Sequence, residues 1–521
     1  MKGDFSRISF DAANHFSRVL LQQGRVTLDA DPNEQAAILL HYLRTLARDL
    51  IGPYGGPADA MGFALTLDTT GTPGKPVLRI GAGRYYVDGI LVENDSACDY
   101  ARQPHCTPPA DDALLQWLLK PATDLWLYLD VWERHVTWIE DDAIRESALG
   151  GPDTCTRAQV VWQVRALPRA ALVDTLQARR DAIDKRLADP SVVLTADQRA
   201  ALQARRDKLD ADARALSPDT GGQAGTDCGA PLDALDGLSD ALMTARLDPG
   251  QQVKDPCTLS PDALYRGVEN QLYRVEIHRG SAAGVQPTFK WSRDNGSVAT
   301  RWLGTQGTQA DQLAVDSSRG FDAGCWVELS DESNDLLGQP GVLVKLAKVE
   351  AGLLTVAPDS VPAGQSIVLT SDRVRPKVRR WDQSGNDDVV LDAGAVPLVE
   401  ASANAPGWIT LEDGIQVQFA AGGSYRSGDY WLIPARVPSG TIEWPSTSVA
   451  GGATQWLAQP PRGVEHHYAP LTWANAQGQL RDGSCLCTIE PVNSCSQMAR
   501  NSRNTSAAPA KAGAETSRKA R

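Results

Sequence analysis

Polar and apolar positions change period several times along the 521-residue chain, and each change predicts a change of element. Val26 to Leu28 reads as a short apolar strand. It runs into Asp29-Ala30-Asp31-Pro32-Asn33-Glu34, where Asp31 suits a helix N-cap, Pro32 the first helical position and Glu34 the far side of a capping box. The helix that follows carries Ala37, Leu39, Leu40, Tyr42, Leu43, Leu46 and Leu50, which predict a broad buried face. Gly52-Pro53 ends it near Ile51. Beyond it the residues become β-branched and aromatic: Val77 to Ile80, Arg84 to Val92 and Leu125 to Trp132, bounded by Gly or Asp, predict strands.

Between Pro168 and Leu216 the helical period returns. Leu172, Leu176, Ile183 and Leu187 form one run, Pro190 breaks it, Thr195 with Gln198 offers a second capping box, and Leu202, Leu209 and Leu216 follow seven apart. This predicts an antiparallel helical hairpin, and the Gly-rich stretch from Ser217 to Gly250 a returning loop. From Leu272 onward strands dominate again: Leu272 to Ile277, Thr288 to Trp291, Cys325 to Leu329, Gly341 to Val349, Leu353 to Val356, Ile367 to Thr370, Trp408 to Leu411, Ile415 to Phe419 and Tyr430 to Ile433. Asp294-Asn295-Gly296, Asp413-Gly414 and Gly422-Gly423 supply turns, because these residues tolerate positive φ.

The pattern predicts a mainly β chain with α insertions (α+β), its many short antiparallel strands arranged as sandwiches or barrels. Four parts are expected: a helix and β-rich docking domain over 1–166, the inserted hairpin over 167–250, β-rich domains over 251–495 and a disordered basic tail over 496–521. The tail carries a charge of +5, so the preceding residues hold −18 of a total of −13. Such an acidic body argues against nucleic acid and anionic membrane as partners. No signal-peptide h-region opens the chain and no apolar stretch approaches the ~20 residues of a membrane helix, so synthesis in the cytoplasm is expected.

Composition adds one oddity, 14 Trp against 7 Phe and 11 Tyr. Trp126, Trp132, Trp291, Trp326, Trp408 and Trp431 fall in predicted strands, where large rings fill the space between sheets. Trp117, Trp444, Trp456 and Trp473 lie nearer loops and are the candidates for stacking on a glycan or on a partner protein. Candidate chemistry is otherwise sparse. Asp29, Asp31 and Asn33 have a calcium-loop spacing, but Glu34 stands where that loop needs Gly and Leu40 where it needs Glu. His466 and His467, as neighbours on an extended chain, point to opposite faces. The acidic pairs Glu412-Asp413 and Asp141-Asp142 read as turn residues rather than a glycosidase dyad. Cys98, Cys106, Cys155, Cys228, Cys257 and Cys325 are scattered singly and read as reduced thiols. Cys485, Cys487 and Cys495 lack paired zinc-knuckle spacing. No catalytic residue, metal or cofactor is expected.

Several stretches taken together resemble a family of large bacterial proteins known only as a domain of unknown function. They include Lys2 to Arg7, His15 to Asn33, His41 to Pro57, Asn270 to His278, Phe289 to Ser297, Arg380 to Gln383, Leu411 to Val417, Gly428 to Arg436 and His466 to Leu471. The resemblance implies a place among phage-tail-like contractile injection systems, near baseplate components, and implies no catalytic residue. The hairpin and the Cys-rich end depart from the family pattern. Arg84 to Ile90, preceded by the segment Gly24 to Gln35, is also similar to the attachment regions of some phage tail and fibre proteins. The expectation is therefore a structural or adaptor protein of a tail-like particle, with other particle proteins as partners, oligomerisation compatible with the sequence, and later release within the particle. The alternative is a glycan-binding or glycan-processing protein.

Overall fold

The computed structural model describes residues 1–490 except 72–74, 107, 152, 189–195, 217–227, 229–231, 236–240, 249–264, 283, 308–310, 386–388, 403–404, 449–453 and 482–484. Its helices are α1 (Ala30–Ile51), α2 (Ala113–Leu119), α3 (Arg169–Ala188), α4 (Ala196–Leu216), α5 (Leu232–Leu235) and α6 (Glu332–Leu337). Short 3-10 helices such as Ala12–Asn14 and Ser147–Leu149 aside, the other regular elements among the described residues are strands, and the chain is mainly β, as its patterning predicts.

The first β region is built on a long antiparallel sheet in which Leu125–Val136 lies between Arg157–Pro168 and His466–Ala474. The period of two sorts its faces. Leu125, Leu127, Leu129 and Val131 enter one core with Phe63, Tyr85, Val92 and Trp162, while Trp126 and Tyr128 point the other way into a second core. That second core is where the predicted hairpin docks: Leu172, Leu176, Ile183, Leu209 and Leu216 bury themselves with Trp126, Tyr128 and Trp473. The Pro190 and Thr195 signals lie outside the described residues, as do most of the returning loop and the basic tail.

The second β region has two parts. Six strands, Ala299–Gln306, Gln312–Val315, Trp326–Ser330, Val342–Glu350, Leu353–Val356 and Lys377–Trp381, close into a barrel filled by Trp302, Leu313, Val327, Leu329, Val344, Leu354 and Val378. Beside it, a five-stranded sheet centred on Gln271–Arg279 packs Tyr273, Val275, Ile277, Phe289, Trp431 and Ile433 against Met243, Ala245, Val417 and Phe419 of a three-stranded sheet. Turns fall where the sequence places them. Asp413 and Gly414 both have positive φ, as do Asn295 and Gly296, and Gly422 does so too.

Four expectations are corrected. Ile367 to Thr370 is not a ladder strand; Thr305 holds it by accepting the Leu369 N–H and donating to the Ile367 carbonyl. Val26 to Leu28 is unpaired and exposed, because no neighbouring edge reaches it. The helix starts at Ala30, so Asp31 does not cap it. Its carboxylate accepts the Leu28 N–H, and Glu34 accepts the Ser9 hydroxyl instead of closing a capping box. Cys228 and Cys485 form a disulfide across 257 residues, which single-Cys spacing does not disclose. Among the described residues no helix is long and apolar enough to cross a membrane.

Candidate functional site

The first ten residues are stitched into the second β region. The Met1 amine donates to the Tyr430 hydroxyl at 2.9 Å, Asn295 donates to the Gly3 carbonyl at 2.9 Å, and Arg436 donates to the Ser6 carbonyl at 3.0 Å. Lys2 pairs with Glu276 at 3.0 Å. The five-stranded sheet explains why a charge lies there. Tyr273, Val275 and Ile277 face the core, so Arg274 and Glu276 must face the opposite way, against the outer wall of the barrel. Lys290 completes the cluster, bonded to Glu328 at 2.6 Å, 3.3 Å from Glu276, and 4.5 Å from the centroid of Trp381. The Trp381 indole donates to Glu328 at 2.9 Å.

Burial by itself would raise the carboxyls of Glu276 and Glu328. Instead Lys2, Arg274 and Lys290 hold Glu276 well below its usual range, and Lys290 and Lys2 do the same for Glu328. Lys2 is pushed down to about 8 by burial, with Glu276 opposing. Two neighbouring histidines are also kept neutral by burial, His278 down to about 4 and His135 down to about 3. The Nδ1 of His278 and the Nε2 of His135 have no hydrogen-bond partner. This cluster joins sheet, barrel and amino-terminal segment, and together with Ala37, Leu40 and Arg44 of α1 it lines a cleft of about 1330 Å³.

After residue 10 the chain leaves the body. Phe16, Leu20, Leu21, Val26 and Leu28 are between 46% and 86% exposed, and the Val19 N–H to Gln35 is one of the few bonds holding this arm to α1. The helix in turn is attached on one side. Arg44 pairs with Glu133 at 2.9 Å and Arg48 with Asp88 at 3.4 Å. Gly89 lies so close that a Cβ there would sit 2.2 Å from the Arg44 carbonyl oxygen, with φ +79°. The predicted buried face is therefore corrected: only Ala30 and Ile38 are buried, while Leu39, Leu40, Tyr42, Leu43, Leu46 and Leu50 are exposed. Periodicity identifies an apolar face, not what covers it.

The candidate tryptophans lie elsewhere, in three cores: Trp444 and Trp456 share one, and Trp117 and Trp473 belong to two others. Trp117 on α2 is buried and donates to the Asn475 carbonyl, Trp444 is buried and donates to the Leu457 carbonyl, and Trp473 is buried in the hairpin core. Trp456 is half-buried. Three of the four thus offer no face to a sugar ring, and the structure does not bring the four together. Of the strand tryptophans, Trp126, Trp132, Trp291 and Trp431 are core residues; Trp326 and Trp408 are half-buried, the latter under the Arg246 guanidinium.

His466 bonds Asp130 at 2.7 Å and His467 bonds Asp88 at 3.0 Å, so the two imidazoles do diverge. Glu412 and Asp413 both accept from the Tyr273 hydroxyl. No group of three or more metal-ligating side chains occurs among the described residues. Cys485 is buried in its disulfide and Cys487 exposed, while Cys495 and Cys257 lie outside the described residues. Sequence reasoning missed the ionic cluster, although its signal was present: charges at alternate positions of an otherwise apolar strand, as in Arg274-Val275-Glu276, mark a second buried face.

A family model described as "Family of unknown function (DUF6519)" matches residues 1–520. No curated protein matches. Among solved structures, the one titled "Crystal structure of TssK" aligns at 11% identity over 79% of this chain and 99% of that chain, with a TM-score of 0.16. At that score the two do not superpose as one fold.

Proposed function

We propose, for a chain that belongs to the DUF6519 family of unknown function, a non-enzymatic structural or adaptor role in a phage-tail-like contractile particle, in a baseplate- or fibre-associated position. The observation that carries this reading is the amino-terminal arm with α1. An extended arm and a two-sided helix, attached to the body along one side and apolar on the other, are what a component needs in order to dock into a larger assembly. Isolated monomers rarely expose contiguous apolar patches beyond a few hundred Å². The resemblance of Gly24 to Gln35 and of Arg84 to Ile90 to attachment regions of phage tail and fibre proteins supports the kind of assembly, since both stretches lie in or beside this surface.

The test is recruitment. Particles are purified from cells carrying a carboxy-terminally tagged copy, either wild type or Leu20→Ser/Leu21→Ser, whose substitutions touch only the exposed arm. Tagged wild type in intact particles and a severalfold loss of the variant are expected. Consistent absence of the wild-type protein from particles and their assembly intermediates overturns the proposal.

A further inference from the structure

The exposed residues of α1 are ordered, and their order specifies what covers them. Leu39, Leu43, Leu46 and Leu50 are separated by four, three and four residues, the spacing of alternating d and a positions in a heptad. At 100° per residue these four side chains fall within about 60° of the helix circumference, a narrow seam rather than a broad face. They are 53%, 62%, 56% and 77% exposed, whereas Ala37, Ile38, Arg44 and Ile51 are the positions turned toward the rest of the chain. A leucine seam of this width matches a second helix bearing the same repeat, since knobs from one fill holes in the other.

The flanks of the seam indicate whose helix that is. With Leu39 at d, the e and g positions are Gln35, Leu40, Tyr42, Ala47 and Asp49, so four of the five are uncharged. Coiled coils that select a different partner place complementary charges there, and like charges there oppose self-pairing. Neither device is present apart from the single Asp49. The exposed apolar surface is not confined to the seam: Tyr42 flanks it, and Phe16, Leu20 and Leu21 of the arm are exposed as well.

We infer that α1 pairs through Leu39, Leu43, Leu46 and Leu50 with α1 of a second copy of this chain, so that the protein is a homo-oligomer sealed at its amino-terminal helix. The inference rests on reading α1 as a docking surface and adds the identity of what docks there. The arm, which lies along α1 through Ser9–Glu34 and Val19–Gln35, is carried into the same contact.

The experiment is sedimentation or light scattering of the purified full chain at 1 to about 50 μM, a range that brackets micromolar association, on wild type, Leu43→Asp/Leu46→Asp and the control Leu149→Asp. Leu149 is equally exposed but far along the chain, at the end of the short 3-10 helix Ser147–Leu149. Wild type and control are expected at a multiple of 55.9 kDa, and the seam variant at 55.9 kDa with unchanged circular dichroism. A wild type that stays monomeric across the range overturns the inference, as does a seam variant that stays oligomeric. Recruitment to particles separates this from the broader reading. Monomeric wild type whose seam variant is still lost from particles sinks self-pairing and leaves docking intact; a seam-dependent oligomer never found in particles does the reverse.

Discussion

Arg44 of α1 and Glu133 of the long central strand form an ion pair at 2.9 Å, each side chain about a quarter to a third exposed. The pair lies on the side of the helix that faces the body, as do Arg48 with Asp88 and the buried Ile38, and the leucine seam lies away from it. Because both groups are partly hydrated, their contribution to stability is small, up to ~1 kcal/mol. Glu133→Gln is expected to leave the melting temperature nearly unchanged while amide hydrogen exchange in residues 36–50 quickens several-fold. Unchanged exchange in that segment would show that other contacts orient the helix.

The ionic cluster that lines the cleft behaves differently, because most of its charges are buried. Glu276→Gln removes the acid that Lys2, Arg274 and Lys290 share; Lys290 keeps Glu328, while the buried Arg274 loses its carboxylate partner. Breaking a buried pair from one side costs ~3–5 kcal/mol, so a clear drop in the denaturation midpoint is expected. A midpoint within error of wild type counts against the network as a structural joint.

Stability is expected to fall on acidification in two stages. His278 and His135 are neutral when folded, with values near 4 and 3, and ordinary when unfolded. At these two sites the unfolded chain therefore binds more protons below pH 6.5, and the stability they contribute is full above that value and declines toward pH 4. Each pKa unit is worth about 1.4 kcal/mol, so the loss is on the order of 3 kcal/mol for each histidine. Glu276 and Glu328, held low when folded, contribute stability above the unfolded value near 4.5 and lose it as pH falls further. Urea titrations at pH 7.5, 6 and 5 on wild type and His135→Gln/His278→Gln check this: the variant should have the flatter profile over the first stage.

The disulfide fixes the region after the hairpin to the segment after the last long strand. Opening a cross-link of this span costs ~2–5 kcal/mol in small domains, by a mechanism that is model-dependent. Cys485→Ser is expected to lower the melting temperature under non-reducing conditions to the value that reduced wild type shows. It should also speed proteolysis near Cys228. Equal melting of oxidised and reduced wild type would argue that the bond is not formed in solution.

Ten of the 14 tryptophans are buried and four half-buried. The native emission maximum is expected well to the blue of the denatured one, and titration with soluble oligosaccharides should leave it unshifted. Trp456→Phe should not alter that result, whereas Trp126→Ala, at the centre of the hairpin core, should cost ~3–5 kcal/mol. A saturable spectral shift with a sugar would revive the glycan reading.

Local signals carried most of the fold. Val77–Ile80, Leu353–Val356 and Ile415–Phe419 are strands with the bounds their patterning indicates, because each alternates inside a sheet with one buried face. The hairpin was legible because Leu172, Leu176, Ile183 and Leu209 repeat at a helical period. What failed was whatever depends on distant chain. His466–Ala474 pairs with a strand more than 300 residues earlier and contains Pro470, which discourages a strand reading. Cys228 meets Cys485 only through the tertiary fold. The ionic cluster unites residues 2, 274, 276, 290 and 328, of which only Arg274 and Glu276 are close enough in sequence to leave a local signal. The apolar face of α1 was visible, but a single chain does not contain its cover.

The stitching of residues 1 to 10 into the second β region also sets an order of events during synthesis. Ser6 waits for Arg436, 430 residues later, and at ~5–20 residues per second that is roughly 20–90 s of translation. For that interval residues 1–10, with their basic and aromatic side chains, lack the carboxy-terminal partners they have in the folded chain. The arm and α1 emerge early, beside neighbouring nascent chains on the same message, long before the body that orients them exists.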